Sequence, residues 1–298
     1  MANDKNSGAG SDRGRAEERA IYDLVVDGHL QTVLHLISER AANLDICKAN
    51  RPDLWPTILK KLKIRWTTDS NAIEGSSLSF ADTLFFLEQG LTVEGKPLKD
   101  FLDARNHAEA IEIVFDVVAN RRPVSPSLLK ELNALILRGV DHTPARDQFG
   151  RIFEKPATPG AYKQLPNHVI LPDGKLHTYA DPINVASEME ALCDFLQTSN
   201  KLPPVVVAAL AHYNYVRIHP FDDGNGRGAR LLMNLVLMRN QLPPAVIRNE
   251  DRARYLAGLR QADKGDAVPF VAFVADSVQK TIEAMIEDFQ SAQSIGSR

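Results

Sequence analysis

Apolar positions recur along most of the chain at spacings of three and four, the period at which side chains share one helical face. Leu24, Val25, Leu30, Val33, Leu34 and Ile37 open the series, with an interruption expected near Asp27-Gly28. The same period predicts helices over Leu54–Trp66, Phe80–Glu88 and Leu98–Val118. Another is predicted over Ser125–Leu137, where Ser125-Pro126 is a start signal with proline in the first turn. Between Arg138 and Ala180 the period is lost. Pro144, Pro156, Pro159, Pro166 and Pro172 break it, Pro172-Asp173-Gly174 marks a turn, and Val169-Ile170-Leu171 is the one run with strand character. So long a connection inside a helical chain often belongs to a functional lid. Helical spacing returns over Pro182–Gln197, Pro204–Tyr215, Asn225–Arg239, Asp251–Gln261 and Pro269–Phe289. The expected fold is mainly α, with a small β-hairpin.

Composition narrows the function classes. The 298 residues suffice for one large domain or two modest ones, and 44% hydrophobic with 24% charged residues is ordinary for a soluble globular chain. A formal net charge of -3 lacks the dense Lys/Arg that nonspecific nucleic-acid binding needs, so no nucleic-acid partner is expected. The Gly/Ser/Asp-rich residues from Met1 to about Ala16 are expected to form a disordered tail. Cys47 and Cys193 are far apart and read as reduced, packed thiols with no zinc spacing. No apolar run resembles a signal peptide or approaches the ~20 residues that span a bilayer. No membrane contact and a cytoplasmic location are the expectation.

Chemistry concentrates in one stretch, His219-Pro220-Phe221-Asp222-Asp223-Gly224-Asn225-Gly226-Arg227-Gly228-Ala229-Arg230. Pro220 should stop the preceding helix, and the next helix starts just after Gly224-Asn225-Gly226. Glycines flanking an asparagine let several N–H groups converge at the positive end of that helix, an anion site suited to phosphates. Arg227 and Arg230 share a helix face and offer planar forks to phosphate oxygens. His219 has the ordinary pKa for proton abstraction near neutrality, and Asp223 could hold a hard cation such as Mg²⁺ against phosphates. The dinucleotide fingerprint does not fit, because no strand precedes Gly224 and the third glycine, Gly228, falls one position early. The phosphate-loop motif fails for want of Gly-Lys-Ser/Thr.

These twelve residues resemble, without a departure, the signature of the Fic family, His-Pro-Phe-x-(Asp/Glu)-Gly-Asn-Gly-Arg-x-x-Arg. The resemblance extends roughly from Trp66 to Glu283. It implies an all-α bundle around two central helices with a β-hairpin flap, divided here into an N-terminal helical region over residues 17–120 and a core domain over 121–290. It further implies AMP transfer from ATP, with Mg²⁺ or Mn²⁺ on Asp223, to a Tyr, Ser or Thr hydroxyl of a target protein or of the chain itself. His219 would be the base and Phe221 a buried anchor. Gly224, Asn225 and Gly226 would form the anion hole, Arg227 would assist the phosphates and Arg230 would hold the γ-phosphate, with Gly228 and Ala229 between them. An intact Gly226-Arg227 separates the chain from the branch that phosphorylates its target.

A second match, Ser70-Asn71-Ala72-Ile73-Glu74-Gly75, resembles the family's inhibitory motif, (Ser/Thr)-x-x-x-Glu-(Gly/Asn). It implies that Glu74 pairs with Arg230 and restrains the site in cis. Gly150-Arg151 resembles the turn into the flap, Lys163-Gln164-Leu165-Pro166 is similar to the flap hairpin, and Tyr255, Leu256 and Asp263 fall where relatives line the adenine and ribose pocket. The alternatives are removal of AMP from a modified target, transfer of another phosphate-bearing metabolite, and a non-catalytic interaction module. A homodimer is left open, and no appended DNA-binding arm is expected.

Overall fold

In the computed structural model of the protein, the described residues are 20–146, 151–170 and 176–296. The glycine-rich tail expected over residues 1–16 lies outside them. Helix α1 runs Gly28–Asn50, and Asp27, expected as an interruption, is its N-cap: the carboxylate accepts the Leu30 N–H at 2.7 Å. Helix α2 spans Trp55–Ile73, seven residues beyond the apolar pattern that ended at Trp66. It continues because Thr67, Thr68, Asp69, Ser70 and Asn71 are buried, a polar run that tertiary contacts keep helical. Helix α3, Phe80–Gln89, opens on a Ser79–Asp82 capping box and closes on Gly90 at φ 70. Helices α4, Leu98–Ala119, and α5, Pro126–Ile136, follow their predicted spans within two residues.

The proline-broken segment holds two antiparallel hairpins among the described residues, where one was expected. Strand β1, His142–Arg146, pairs with β2, Ile152–Pro156; β3, His168–Ile170, pairs with β4, Leu176–Thr178. The strand run at Val169–Leu171 marks β3, but β1 and β2 carry Pro144 and Pro156 and show no alternation. Helices α6, Val185–Thr198, α7, Pro204–Ile218, α8, Asn225–Arg239, α9, Arg252–Ala262, and α10, Val268–Gly296, complete the chain.

Helices α7 and α8 form the centre. Every residue from Val205 to Tyr215 and from Arg227 to Leu237 is buried, the all-round burial expected of helices enclosed by others. Helices α4 and α5 pack against α8, while α10 packs against α7, α1 and α9. The α7–α8 pair approaches closely at Gly228, where a Cβ would stand 2.5 Å from the Tyr215 hydroxyl oxygen, and Tyr215 is itself 1% exposed. Gly228→Ala is therefore expected to cost about 1–3 kcal/mol through overpacking. Denaturant titration checks this; an unchanged midpoint would mean that Tyr215 moves aside without penalty.

Candidate active site

Helix α7 ends where Pro220 forbids its continuation, and His219 takes the left-handed conformation at φ 49. That conformation is unusual for a residue with a side chain and persists only where neighbours fix it. Several do. Phe221 is wholly buried between the rings of Tyr162 and Tyr215. The Asn225 side chain closes the loop on itself, accepting the Phe221 N–H at 3.0 Å and donating to its carbonyl at 2.8 Å. From α5, Asn133 donates to the Asp223 carbonyl at 2.9 Å and accepts the Gly160 N–H at 2.9 Å. Asp222 accepts from Lys155 at 2.5 Å and from Thr158 at 2.8 Å, tying β2 and the residues after it to the loop.

Gly224, at φ 76, is the N-cap of α8, and no side chain caps the helix. The amides of its first turn are thus available to an anion, at the positive end of the dipole. Asn225 is the first helical residue, and its side chain braces the loop through Phe221. Arg227 donates to Asp103 at 2.8 Å, a carboxylate that Lys99 also holds at 2.5 Å. Arg230, 2% exposed, donates from Nε to the Ser70 hydroxyl at 2.9 Å. It also donates from one terminal nitrogen to the Ser70 carbonyl at 2.9 Å and to Glu74 Oε1 at 2.7 Å.

The Glu74 carboxylate lies on the first turn of α8 itself: a Cβ built on Gly226 would stand 2.3 Å from Glu74 Oε1. Burial pushes this carboxyl up, but Arg230, by charge and hydrogen bond, and then Arg227 and Arg252 outweigh it and hold it below the usual carboxylate range. Glu74 is therefore ionised at neutral pH. The pair joins two residues far apart in sequence, the C-cap of α2 and a residue of α8.

The His219 ring stacks on Tyr179, centroids 3.8 Å apart and 17° from parallel, and His177 meets Tyr179 edge-on at 4.8 Å. Burial first, then Lys163 and His177, push the His219 pKa down to about 3, against the opposing pull of the Val216 carbonyl. His219 is accordingly neutral at physiological pH. Two further buried histidines are neutral too. Neither ring nitrogen of His107 is hydrogen-bonded, and burial, then Arg230 and Arg227, lower its pKa well below the usual value. His212 accepts or donates at 3.0 Å with the Tyr255 hydroxyl, and burial, then Arg230, lowers it likewise.

A depressed histidine pKa means that the unfolded chain binds the extra proton. Stability is thus intact above pH ~6.5, the unfolded value, and falls as pH drops below it toward the folded value. For each of His107 and His212 the slope approaches about 1.4 kcal/mol per pH unit. Urea midpoints at pH 7 and pH 5 read this, and His107→Leu is expected to flatten the difference; an identical difference in that variant would show His107 does not contribute.

Lys163, Gln164, Leu165 and Pro166 form no strand; they connect β2 to β3, with Lys163 buried and the other three exposed. Gly150 lies outside the described residues. Tyr255 is buried against Phe270 and Phe273, interacting with His212 and Arg230. Leu256 is half-buried and Asp263 caps the C-terminus of α9. Asp223 accepts the Gly224 N–H at 2.6 Å and lies 4.0 Å from Arg227, its side chain 40% exposed. Among the described residues no group of three or more His, Cys, Asp or Glu gathers as a metal cage, and no helix is long and apolar enough to cross a membrane. Spacing alone missed Asp103, Asn133 and Tyr179, because nothing but the fold brings them to the motif, and it gave no role to Asp222, whose partners Lys155 and Thr158 come from outside it.

The geometry has solved counterparts. A Fic domain containing signaling protein from Bacteroides thetaiotaomicron is 30% identical and superposes with a TM-score of 0.75, over 87% of this chain and 97% of that one. The chain belongs to the Fic/DOC family. The Fic/DOC sequence model matches residues 123–237. Fic-1 from C. elegans superposes with a TM-score of 0.71 at 24% identity, covering 88% of this chain and 73% of that one, a likeness of fold. In sequence, the Fic chain is 34% identical to a protein adenylyltransferase Fic of Nematostella vectensis, over 73% of its own length and 47% of the relative's. It is 33% identical to one of Drosophila willistoni, over 72% and 40% respectively. The chain thus spans about half the length of the curated relatives it matches.

Proposed function

We propose that this Fic chain is a protein adenylyltransferase that moves AMP from ATP to a protein hydroxyl, and that Glu74 restrains it in cis. One observation carries the reading. A neutral imidazole is fixed one tight loop before the uncapped N-terminus of a buried helix, whose arginine, Arg230, is engaged by a carboxylate from another helix. Two curated relatives at 33–34% identity bear the adenylyltransferase name.

In this reading the triphosphate sits on the first-turn amides of α8, and Arg230 holds the terminal phosphate. Asp223 fits a hard cation: its carboxylate is partly exposed at the mouth of the anion site, and such ions take one or two carboxylates and complete their shell with phosphates and water. Magnesium, when bound, neutralises charge on the phosphates. His219 takes the proton of the incoming hydroxyl as its oxygen bonds to the α-phosphorus. The bond from that phosphorus to the bridging oxygen breaks, and pyrophosphate leaves with the electron pair. Positioning and preorganised charge account for the acceleration. Arg227, held by Asp103, keeps the first turn of α8 in place, while β4 and the residue after it bring His177 and Tyr179 to His219. Residues 17–120 carry the brake and residues 121–290 the chemistry.

The test is a labelling experiment with Glu74→Gly and Mg²⁺, using ATP labelled at the α- or the γ-phosphate. Protein-bound α-label without γ-label, with an AMP adduct by intact mass spectrometry, is the expected result. Transfer of γ-label in place of α-label would replace the reading with phosphorylation, and no label on the chain or on any lysate protein would remove it.

A further inference from the structure

We propose that Lys163 is a positioning residue for the base: its backbone amide and its ammonium grip the two carbonyls that flank His219 and set the imidazole's orientation. The proposal rests on the reading of His219 as the proton acceptor. The Lys163 N–H donates to the Pro220 carbonyl at 2.9 Å, and Lys163 Nζ donates to the Ile218 carbonyl at 3.1 Å. One residue from outside the motif thus holds the carbonyls of the residues before and after the left-handed His219. Its Nζ also stands 5.9 Å from the Tyr179 ring, which stacks on the imidazole.

The placement is costly without such a role. Lys163 is 1% exposed, and an ammonium taken from water is unfavourable unless fixed partners replace the solvent. The Ile218 carbonyl is among the last of α7, where the helix dipole is negative and a cation is favoured. Burial lowers the Lys163 pKa to about 8, opposed by Asp181, Glu188 and Asp222, so the residue is charged at neutral pH. The charged and titratable groups facing His219 are Lys163 from the β2–β3 connection, His177 on β4 and Tyr179 just beyond it, with the Val216 carbonyl from α7. A fixed positive charge beside the ring disfavours imidazolium, which suits a group that must begin each cycle unprotonated. The residue therefore acts on geometry and on charge through one side chain.

The test compares wild type and Lys163→Met, a volume-matched change that removes only the ammonium and leaves the backbone grip. Each is made in the full chain with Glu74→Gly. The expected result is a fall in kcat on the order of 10- to 100-fold at an unchanged KM for ATP. Titration of ¹⁵N-histidine resonances, with His219 assigned by its loss in His219→Gln, is expected to show a midpoint moved upward. A raised KM for ATP at unchanged kcat would make Lys163 a nucleotide contact, and an unchanged kcat and midpoint would make it a packing residue; either overturns the proposal. If Lys163→Met does not fold, Lys163→Arg carries the test, since it keeps the charge but changes the donor's reach. Lower kcat at unchanged KM then supports the grip, and unchanged kcat overturns it. The titration is readable in a chain that transfers nothing, so loss of the adenylyltransferase reading and loss of this one are separate outcomes.

Discussion

Glu74→Gly is expected to raise AMP incorporation on the order of 100-fold over the unmodified chain, the effect of restoring one preorganised charge contact to the reacting phosphates. The restraint is electrostatic and steric at once. Glu74 Oε1 occupies one terminal nitrogen of Arg230 at 2.7 Å and stands against the Gly226 backbone. A terminal phosphate seeking that guanidinium would place its own negative charge beside an ionised carboxylate. Removing the side chain clears both obstacles while Ser70 keeps its two hydrogen bonds to Arg230, so the arginine stays in place. Helix α2 is also held independently, by Arg252, which donates to the Ile73 carbonyl at 2.9 Å. Incorporation is followed with α-labelled ATP and Mg²⁺. A second readout is the rise in thermal midpoint on adding ATP, which should be larger in Glu74→Gly because a ligand stabilises by its affinity for the folded state. Equal labelling of the two proteins would leave Glu74 as a structural partner of Arg230 and nothing more.

What could be read in advance divides along physical lines. Helices with apolar, periodic burial were legible: α5 buries Leu128, Leu129, Leu132 and Ile136, and its span lies within one residue of the predicted Ser125–Leu137. The end of α2 was not, since Thr67 to Asn71 are polar yet buried, and a pattern built on hydrophobicity stops at Trp66. The His219–Arg230 stretch announced an anion site because one loop and one helix terminus assemble it locally. Its supports did not: Asp103, Asn133 and Lys163 reach it from α4, α5 and the β2–β3 connection, and no spacing rule links residues so distant. Lys163, in a segment similar to the flap hairpin, lies in the β2–β3 connection and hydrogen-bonds the carbonyls of Ile218 and Pro220, on either side of His219. Sequence resemblance supplied the residue, while the fold supplied the contact.

The same division explains the buried polar seam. The last turns of helix α2 meet the rest of the protein through Thr67, Thr68, Asp69, Ser70 and Asn71, where an ordinary bundle helix would present leucines. Such a surface contributes less by burial than an apolar one but places hydrogen-bonding groups against α8 with definite geometry. Its cost is the histidine-linked acid sensitivity, because His107 is wholly buried beside Arg230 and Arg227, where a new positive charge is disfavoured.

His219→Asn, made in Glu74→Gly, is expected to lower AMP transfer by about 10²- to 10⁴-fold, the usual contribution of a positioned base. Asparagine is the informative replacement because it tolerates the left-handed conformation that His219 holds at φ 49, whereas alanine would add backbone strain to the loss of the base. The imidazole is not part of the phosphate cradle, so calorimetric affinity for ATP should be unchanged. A variant that kept its activity would show that the hydroxyl loses its proton elsewhere. Wild-type pH dependence supplies the companion measurement. With the His219 pKa pushed down to about 3, the ring is already unprotonated at pH 5, and the acid limb of kcat/KM should lie well below the ordinary histidine value. An acid limb near pH 6.5 would mean instead that the free enzyme exposes His219 to water, Tyr179 swinging off its face before each encounter with substrate.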